Sequence, residues 1–213
     1  LESLDYLPSK TLAQSDHLPV MLQTAGLENT VISQMPRKGL VHPSMLMVKM
    51  EKDSVAQRRA LFSISLKDIL PEKIVSARLN LNLVPSGLGF ASYLPEQVTF
   101  AVYGITDESR ESWSTGELLW QDAPGYLPKL ENELNNSEVR LIGKFTIPRG
   151  QQSGRIQLQS EELLGFLQSD TSGLASFVIV RETYATKEHS LVHAFASSQH
   201  PEASGPSLEV VIE

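Results

Sequence analysis

Between Lys73 and Val84 the chain alternates. Ala77, Leu79, Leu81 and Leu83 are apolar, and Ser76, Arg78, Asn80 and Asn82 between them are polar. Successive side chains on a strand point to opposite faces, so this spacing predicts a strand with one buried and one wet face. The wet face carries arginine and asparagine, which hydrogen-bond but add little apolar surface. Such a face suits a β-sandwich that presents a polar surface to a sugar or a partner. In Val139–Pro148 the same period sets Val139, Leu141, Gly143, Phe145 and Ile147 against Arg140, Ile142, Lys144 and Thr146. In Ala60–Leu66 it puts Phe62, Ile64 and Leu66 on one face. Gly173–Arg181 is apolar on both sides, so either Phe177 and Ile179 or Leu174, Val178 and Val180 can be innermost.

Further strands are predicted at Ser44–Met50, Gln97–Thr106, from Arg155 to Leu158, and at Ser190–Ser197 and Ser207–Ile212. Val20-Met21-Leu22 and Thr30-Val31-Ile32 are short pieces broken by Pro19, Gly26, Pro36 and Gly39, and they suit edge strands and loops. Residues 1–16 have no period and read as a tail, a linker or a first short strand; residues 17–213 read as one domain. The single helical stretch is Ser160–Leu167, where Ser160 caps and Glu161 and Glu162 sit in the favoured first turn. The expected architecture is therefore all-β: an antiparallel β-sandwich with one short helix. Its predicted core contains Leu79, Leu81, Leu83, Phe100, Val102, Phe145, Phe177, Ile179 and Leu208.

Composition narrows the function classes. With 213 residues the chain can bury a sizeable core in one all-β domain. The apolar fraction of 41% is that of an ordinary globular protein, and no apolar run is long enough to cross a bilayer. The first residues lack the basic start and apolar block of a signal peptide, which suggests a mature chain or an excised module. There is no cysteine, hence no disulfide and no thiolate metal site. A net charge of −7 argues against nucleic acid, which needs a broad basic footprint. It also repels polyanions at long range, so an anionic ligand requires positive groups that cluster locally.

The order of the segments resembles the DNRLRE domain family, whose members include the carbohydrate-binding modules of family 96. Leu46-Met47-Val48-Lys49 is similar to the family's L-x-V-K strand, and Arg58-Arg59-Ala60-Leu61-Phe62-Ser63-Ile64-Ser65-Leu66 to R-x-A-Y-L-R-F-D-L. Ile74-Val75-Ser76-Ala77-Arg78-Leu79-Asn80-Leu81 is similar to I-x-S-A-x-L-R-L. Val102-Tyr103-Gly104-Ile105-Thr106-Asp107, with Trp113 and Leu119-Trp120-Gln121-Asp122-Ala123-Pro124, is similar to the tryptophan-containing segment that follows. Phe195-Ala196-Ser197-Ser198-Gln199 and Gly205-Pro206-Ser207-Leu208-Glu209-Val210 are similar to F-x-S-R-E and R-P-x-L-x-V. Together these span residues 44 to 213. Ser63, Ser65, Ser198 and Gln199 stand where the family often has charged residues, which puts its ligand preference in doubt for this chain.

The resemblance implies a jelly-roll sandwich that binds an algal, anionic polysaccharide beside a covalently linked glycoside hydrolase or polysaccharide lyase; the overall acidity and the lost charged positions keep neutral or weakly sulfated glycans open. Such a module raises the effective concentration of its enzyme on the polymer. The implied location is secreted or cell-surface. The implied ligand groups are Lys49, Arg58 and Arg59 with an imidazole from His193 or His200, gripping acidic sugars such as alginate. A guanidinium fork suits carboxylate or sulfate. The competing reading is that these are ordinary solvated or ion-paired side chains.

Trp113 and Trp120 have two readings: faces for sugar stacking, or core residues under a loop that folds over the sandwich. Asp107, Glu108, Glu111 and Asp122 could hold a structural calcium ion, although their spacing matches no calcium loop and capping explains them more simply. His17, His42, His189, His193 and His200 show no metal-ligand pattern, and no cofactor is expected otherwise. Gly-x-Ser-x-Gly, a phosphate loop and His-Glu-x-x-His are absent, so a non-catalytic module is expected. Two alternatives stay open: a structural or adhesive surface module without a glycan, and a polysaccharide-degrading domain with a dispersed carboxylate pair.

Overall fold

The long alternating segment forms the strand on which one sheet is assembled. In the computed structural model, residues 19–24, 26–33, 42–50, 56–127 and 133–213 are described. The expectations for residues 1–16, Pro36 and Gly39 lie outside them. The strands are β1 (Val20–Gln23), β2 (Asn29–Ile32), β3 (Met45–Val48), β4 (Arg58–Ser65), β5 (Ile74–Val84) and β6 (Gln97–Ile105). They continue as β7 (Val139–Pro148), β8 (Gly154–Leu158), β9 (Leu174–Arg181), β10 (His193–Ala196) and β11 (Ser207–Ile212). One helix, α1 (Glu161–Gln168), lies between β8 and β9.

All strand pairs are antiparallel, in two sheets. The first joins β1, β11, β5, β10, β3 and β8; the second runs β2-β4-β9-β6-β7. Asn80 of β5 faces both Ser207 of β11 and Gln157 of β8, while Leu83 faces both Phe195 of β10 and Gly154 of β8. Hence β8 takes one edge of β5, and β11 and β10 lie end to end along the other. The two sheets are stitched where Thr24 bridges Ile64 and Lys49 bridges Arg58.

The inner faces meet as predicted. Leu79, Leu81, Leu83, Phe100, Val102, Phe177, Ile179 and Leu208 are buried in one cluster, with Phe145 packed against it. Phe62 stacks on Phe177 at 5.0 Å and Phe100 on Phe145 at 5.2 Å. Phe177 and Ile179 are the inward residues of β9. Val178 and Val180 belong to a second apolar cluster on the outer face of the second sheet.

One expected face is corrected. Leu141 is exposed and Ile142 is buried in the main core. The β6–β7 register shifts between Val102 and Tyr103, whose partners are Gly143 and Leu141, so Ile142 is an extra residue. A bulge of this kind reverses the parity of the strand. Gly143, Phe145 and Ile147 therefore face inward, while Val139 joins the outer cluster.

The helix forms where expected. Ser160 Oγ accepts the Leu163 amide at 3.0 Å and also donates to the Ile142 carbonyl, so the cap anchors the helix to β7. Leu163, Phe166 and Leu167 are buried, and burying an apolar side chain of this size stabilises by roughly 1.5–3 kcal/mol. Phe166 fits because Gly104 has no side chain: a Cβ there would lie 2.6 Å from the ring. Gly104→Val should therefore cost about 1–3 kcal/mol through overpacking, with the strand signal retained. Chemical denaturation measures this, and an unchanged midpoint would show that α1 does not depend on close approach to β6.

Candidate functional site

Lys49, Arg58, Arg59, Trp113, His193 and His200 do not form one surface. Lys49 and Arg58 are partners in the bridge between the sheets, each backbone amide donating to the other's carbonyl at 3.1 and 3.0 Å. The Lys49 side chain is buried, and Arg58 is half-buried with Nη1 at 3.5 Å from the Met47 sulfur. Arg59 is only 3% exposed and lies on the outer face of the second sheet. Its guanidinium sits 4.3 Å from the centre of the Trp120 ring, and Nη2 donates to the Glu133 carbonyl at 3.3 Å. Burial pushes the Arg59 pKa down to about 10, so it stays cationic at neutral pH. Trp113 and Trp120 are both buried in the outer cluster with Leu61, Val178 and Val180. In this structure the loop after β6 covers the outer face of the second sheet, and the tryptophans pack as core. Asn29 of β2 holds that loop through the Gly116 amide at 2.6 Å.

His193 points the other way, into the sandwich. It is 2% exposed and meets Phe100 edge-on at 4.9 Å. Beside it lies Arg181, which is 0% exposed and was not anticipated. Arg181 Nη1 donates to the Leu191 carbonyl at 2.8 Å and lies 3.5 Å from His193 Nδ1. Its Nη2 donates to the Met50 carbonyl and to Ser190 Oγ. Burial and this neighbouring cation push the His193 pKa down to about 3, so the imidazole is neutral. His200 lies apart, on the loop after β10, where Nδ1 accepts the amides of Glu202 and Ala203. Arg59 and His193 thus occupy opposite sides of the second sheet and do not share a cleft.

The acidic residues act as loop clasps. Asp107 accepts the Ser109 amide and hydroxyl. Glu108 accepts the Thr171 amide and hydroxyl and the Ser172 amide, and these bonds hold its carboxyl below the usual range. Glu111 accepts Ser172 Oγ at 2.8 Å. Burial pushes the Glu111 carboxyl up to about 7, against the hydrogen bonds from Ser176 and Ser172 and with help from Asp170 and Glu108. Glu28, also buried, accepts the amide and hydroxyl of Ser198 and so fastens the start of β2 to the loop after β10. No group of three or more His, Asp or Glu among the described residues could hold a metal.

The surface that matches the opening pattern is the outer face of β5, β8 and β11. Arg78 pairs with Glu209 across the β5–β11 register at 3.4 Å and donates to Gln159 Oε1 at 3.4 Å. Asn80 Oδ1 accepts Arg155 Nη2 at 2.8 Å and Gln157 Nε2 at 2.9 Å. Asn80 Nδ2 is buried with no protein acceptor, a deficit of about 1–3 kcal/mol. Asn82 Nδ2 donates to the Ser204 carbonyl at 2.8 Å. Toward the helix, Val75, Ser76, Gln159, Ser160 and Glu161 line a shallow groove of about 260 Å³. Chemically, the exposed amides of Gln157 and Gln159 can meet hydroxyl groups, and Arg155 can offer a fork to an acidic group. Sequence alone paired Asn80 with no one. The alternation of Arg155 and Gln157 with Ile156 and Leu158 is the signal that puts them on a wet face.

Two buried groups predict opposite pH dependences. His193 protonates in the unfolded chain near 6.5 but in the folded chain only near 3. Its stabilisation is present above about 6.5 and is lost as the pH falls toward 3. Glu111 has its folded pKa raised, from 4.5 to about 7. Its stabilisation is present below 4.5 and is lost as the pH rises through 7. Glu111→Gln should therefore flatten the decline toward pH 7, and His193→Phe the decline toward acid. Urea midpoints from pH 3 to pH 8 check both, and parallel profiles for wild type and variants would refute the assignment.

No family model matches the chain, and no curated protein matches it in sequence. The resemblance to the DNRLRE family rests on the order of its segments.

Proposed function

We propose that this chain is a non-catalytic carbohydrate-binding module whose glycan lies on the polar face of β5, β8 and β11. In this reading the module is secreted or displayed at the cell surface, where it holds a polysaccharide near a linked glycoside hydrolase or polysaccharide lyase.

One observation carries the reading. β5 and β8, with Gln159 just after β8, present Arg78, Asn82, Arg155, Gln157 and Gln159 on an outer face, where the buried Asn80 accepts from Arg155 and Gln157, Arg78 donates to Gln159, and Asn82 donates to the Ser204 carbonyl. A braced polar face loses little side-chain entropy on binding, and that raises affinity without added area. The exposed Arg155 spends one donor on Asn80 and keeps others for a ligand acid. The three strands carry a single carboxylate, Glu209, which is paired with Arg78. Glycoside hydrolysis by the usual route needs two carboxylates flanking the bond, so this face favours holding a glycan over cutting it.

The test is affinity electrophoresis in gels containing alginate, porphyran, carrageenan or laminarin. The wild-type chain should be retarded by at least one. The double variant Arg155→Ala, Gln157→Ala should lose most of that retardation while keeping its thermal midpoint within a few degrees. Added salt should weaken retention by the anionic polymers more than by laminarin, because exposed charge pairs are screened over about 8–10 Å. A folded double variant that runs like wild type would remove this face from the site.

A further inference from the structure

At the end of the sandwich where β5 runs into β6 and β9 into β10, an aromatic residue is held outward. Phe90 is 59% exposed, more than any other large apolar residue described. It is not a loose tip. Its amide donates to the His189 carbonyl at 3.0 Å, its carbonyl accepts the Leu191 amide at 3.0 Å, and it forms a parallel bridge with Ser190. The preceding Gly89 is left-handed, and a Cβ there would collide with the Ser190 carbonyl. The two loops therefore run in direct backbone contact, and the Phe90 backbone is held at both its amide and its carbonyl.

Tyr93 stands next to it, the ring centres 5.5 Å apart and tilted by 58°. The Tyr93 carbonyl accepts both the amide and the hydroxyl of Thr186, at 2.9 and 3.0 Å. The ammonium of Lys187 lies 5.4 Å from the Tyr93 ring centre. An outward ring, a second ring at an angle and a cation beside them thus sit on two cross-braced loops.

We infer that Phe90, Tyr93 and Lys187 form a second glycan subsite that stacks one pyranose unit on Phe90 and receives its carboxylate or sulfate at Lys187. The inference rests on the carbohydrate-binding reading above. An aromatic face is electron-rich, and the axial C–H edges of a pyranose are its complement. The size fits as well. Two rings offer a few hundred Å² at most, against about 800 Å² a side in a stable protein interface. A sugar unit matches that footprint better than a second protein.

The experiment compares wild type with Phe90→Ala, Phe90→Trp and Lys187→Gln in the same four gels, with sedimentation velocity run in parallel. Phe90→Ala should weaken retention about two- to tenfold in every gel that retards wild type. Phe90→Trp should restore it. Lys187→Gln should weaken retention in alginate or carrageenan and leave laminarin unchanged. Both positions are at the surface, and an unchanged thermal midpoint confirms folding. Retention untouched by Phe90→Ala or by Lys187→Gln, while Arg155→Ala, Gln157→Ala abolishes it, overturns the subsite and leaves the module reading standing. No retention of wild type in any gel overturns both. A wild-type dimer that becomes monomeric on Phe90→Ala makes the rings a contact between copies and also overturns the subsite.

Discussion

The structure depends on the double occupancy of β5. One edge carries β8, and the other carries β11 and then β10. A strand paired on both edges has its side-chain parity locked, since a one-residue slip would send Leu79, Leu81 and Leu83 to solvent. The same lock sets the opposite face. Arg78, Asn80 and Asn82 can only be outward, and the register then brings Glu209, Gln157 and Arg155 beside them. Core and candidate ligand face are two consequences of one constraint. A change that loosens the leucine side of β5 would also scatter the polar ladder on its other side.

A second constraint operates at the loop end. Burying a guanidinium costs several kcal/mol unless its donors are satisfied. Arg181 places its two terminal nitrogens on the carbonyls of Met50 and Leu191 and the hydroxyl of Ser190. These acceptors come from the segment after β3 and from the loop before β10, so the buried cation ties together chain segments distant in sequence. Burial keeps His193 neutral, and the Arg181 cation 3.5 Å away adds to this by repelling a second positive charge. Ser190 is the residue that bridges to Phe90. The backbone that carries the outward ring is thus linked, through one serine, to an arginine in the core.

The alternation in the sequence was enough to read β5, the inward residues of β4 and the main core, and the cap at Ser160 was enough to read α1. Period two says which residues share a face, but not whether that face is wet. Arg59 and Leu61 share a face by parity, and only the covering loop with Trp113 and Trp120 decides that this face is dry. His193 was legible in principle: it stands two residues from Phe195 on one strand, so a buried Phe195 draws it inside. Arg181 follows Ala175, Phe177 and Ile179 in the same way. The expectation of a cationic cleft weighed charge above parity. The bulge at Ile142 carries no such signal, since an inserted residue leaves no trace until the partner register is known. The pairing of Asn80 with Arg155 and Gln157 was hidden for the same reason.

The shape of the polar face bears on how such a module would act. Each hydrogen bond to a sugar hydroxyl replaces one to water, so its net worth is about 0.5–1.5 kcal/mol. An open face encloses no ligand, and its shallow groove of about 260 Å³ excludes little water. A single sugar unit on this surface would therefore bind weakly. A polymer changes the arithmetic, because each bound unit holds the next at high local concentration, and a tethered enzyme shares that gain. Stacking on Phe90 would add a contact that does not compete with water for hydrogen bonds. Under the proposed reading the polar ladder and the aromatic end would have separate work: the ladder would supply direction and chemical choice, and the ring residence time. An acidic chain would suit this division, since its net charge of −7 discourages indiscriminate adhesion to polyanions and would leave recognition to the few cations held at fixed positions.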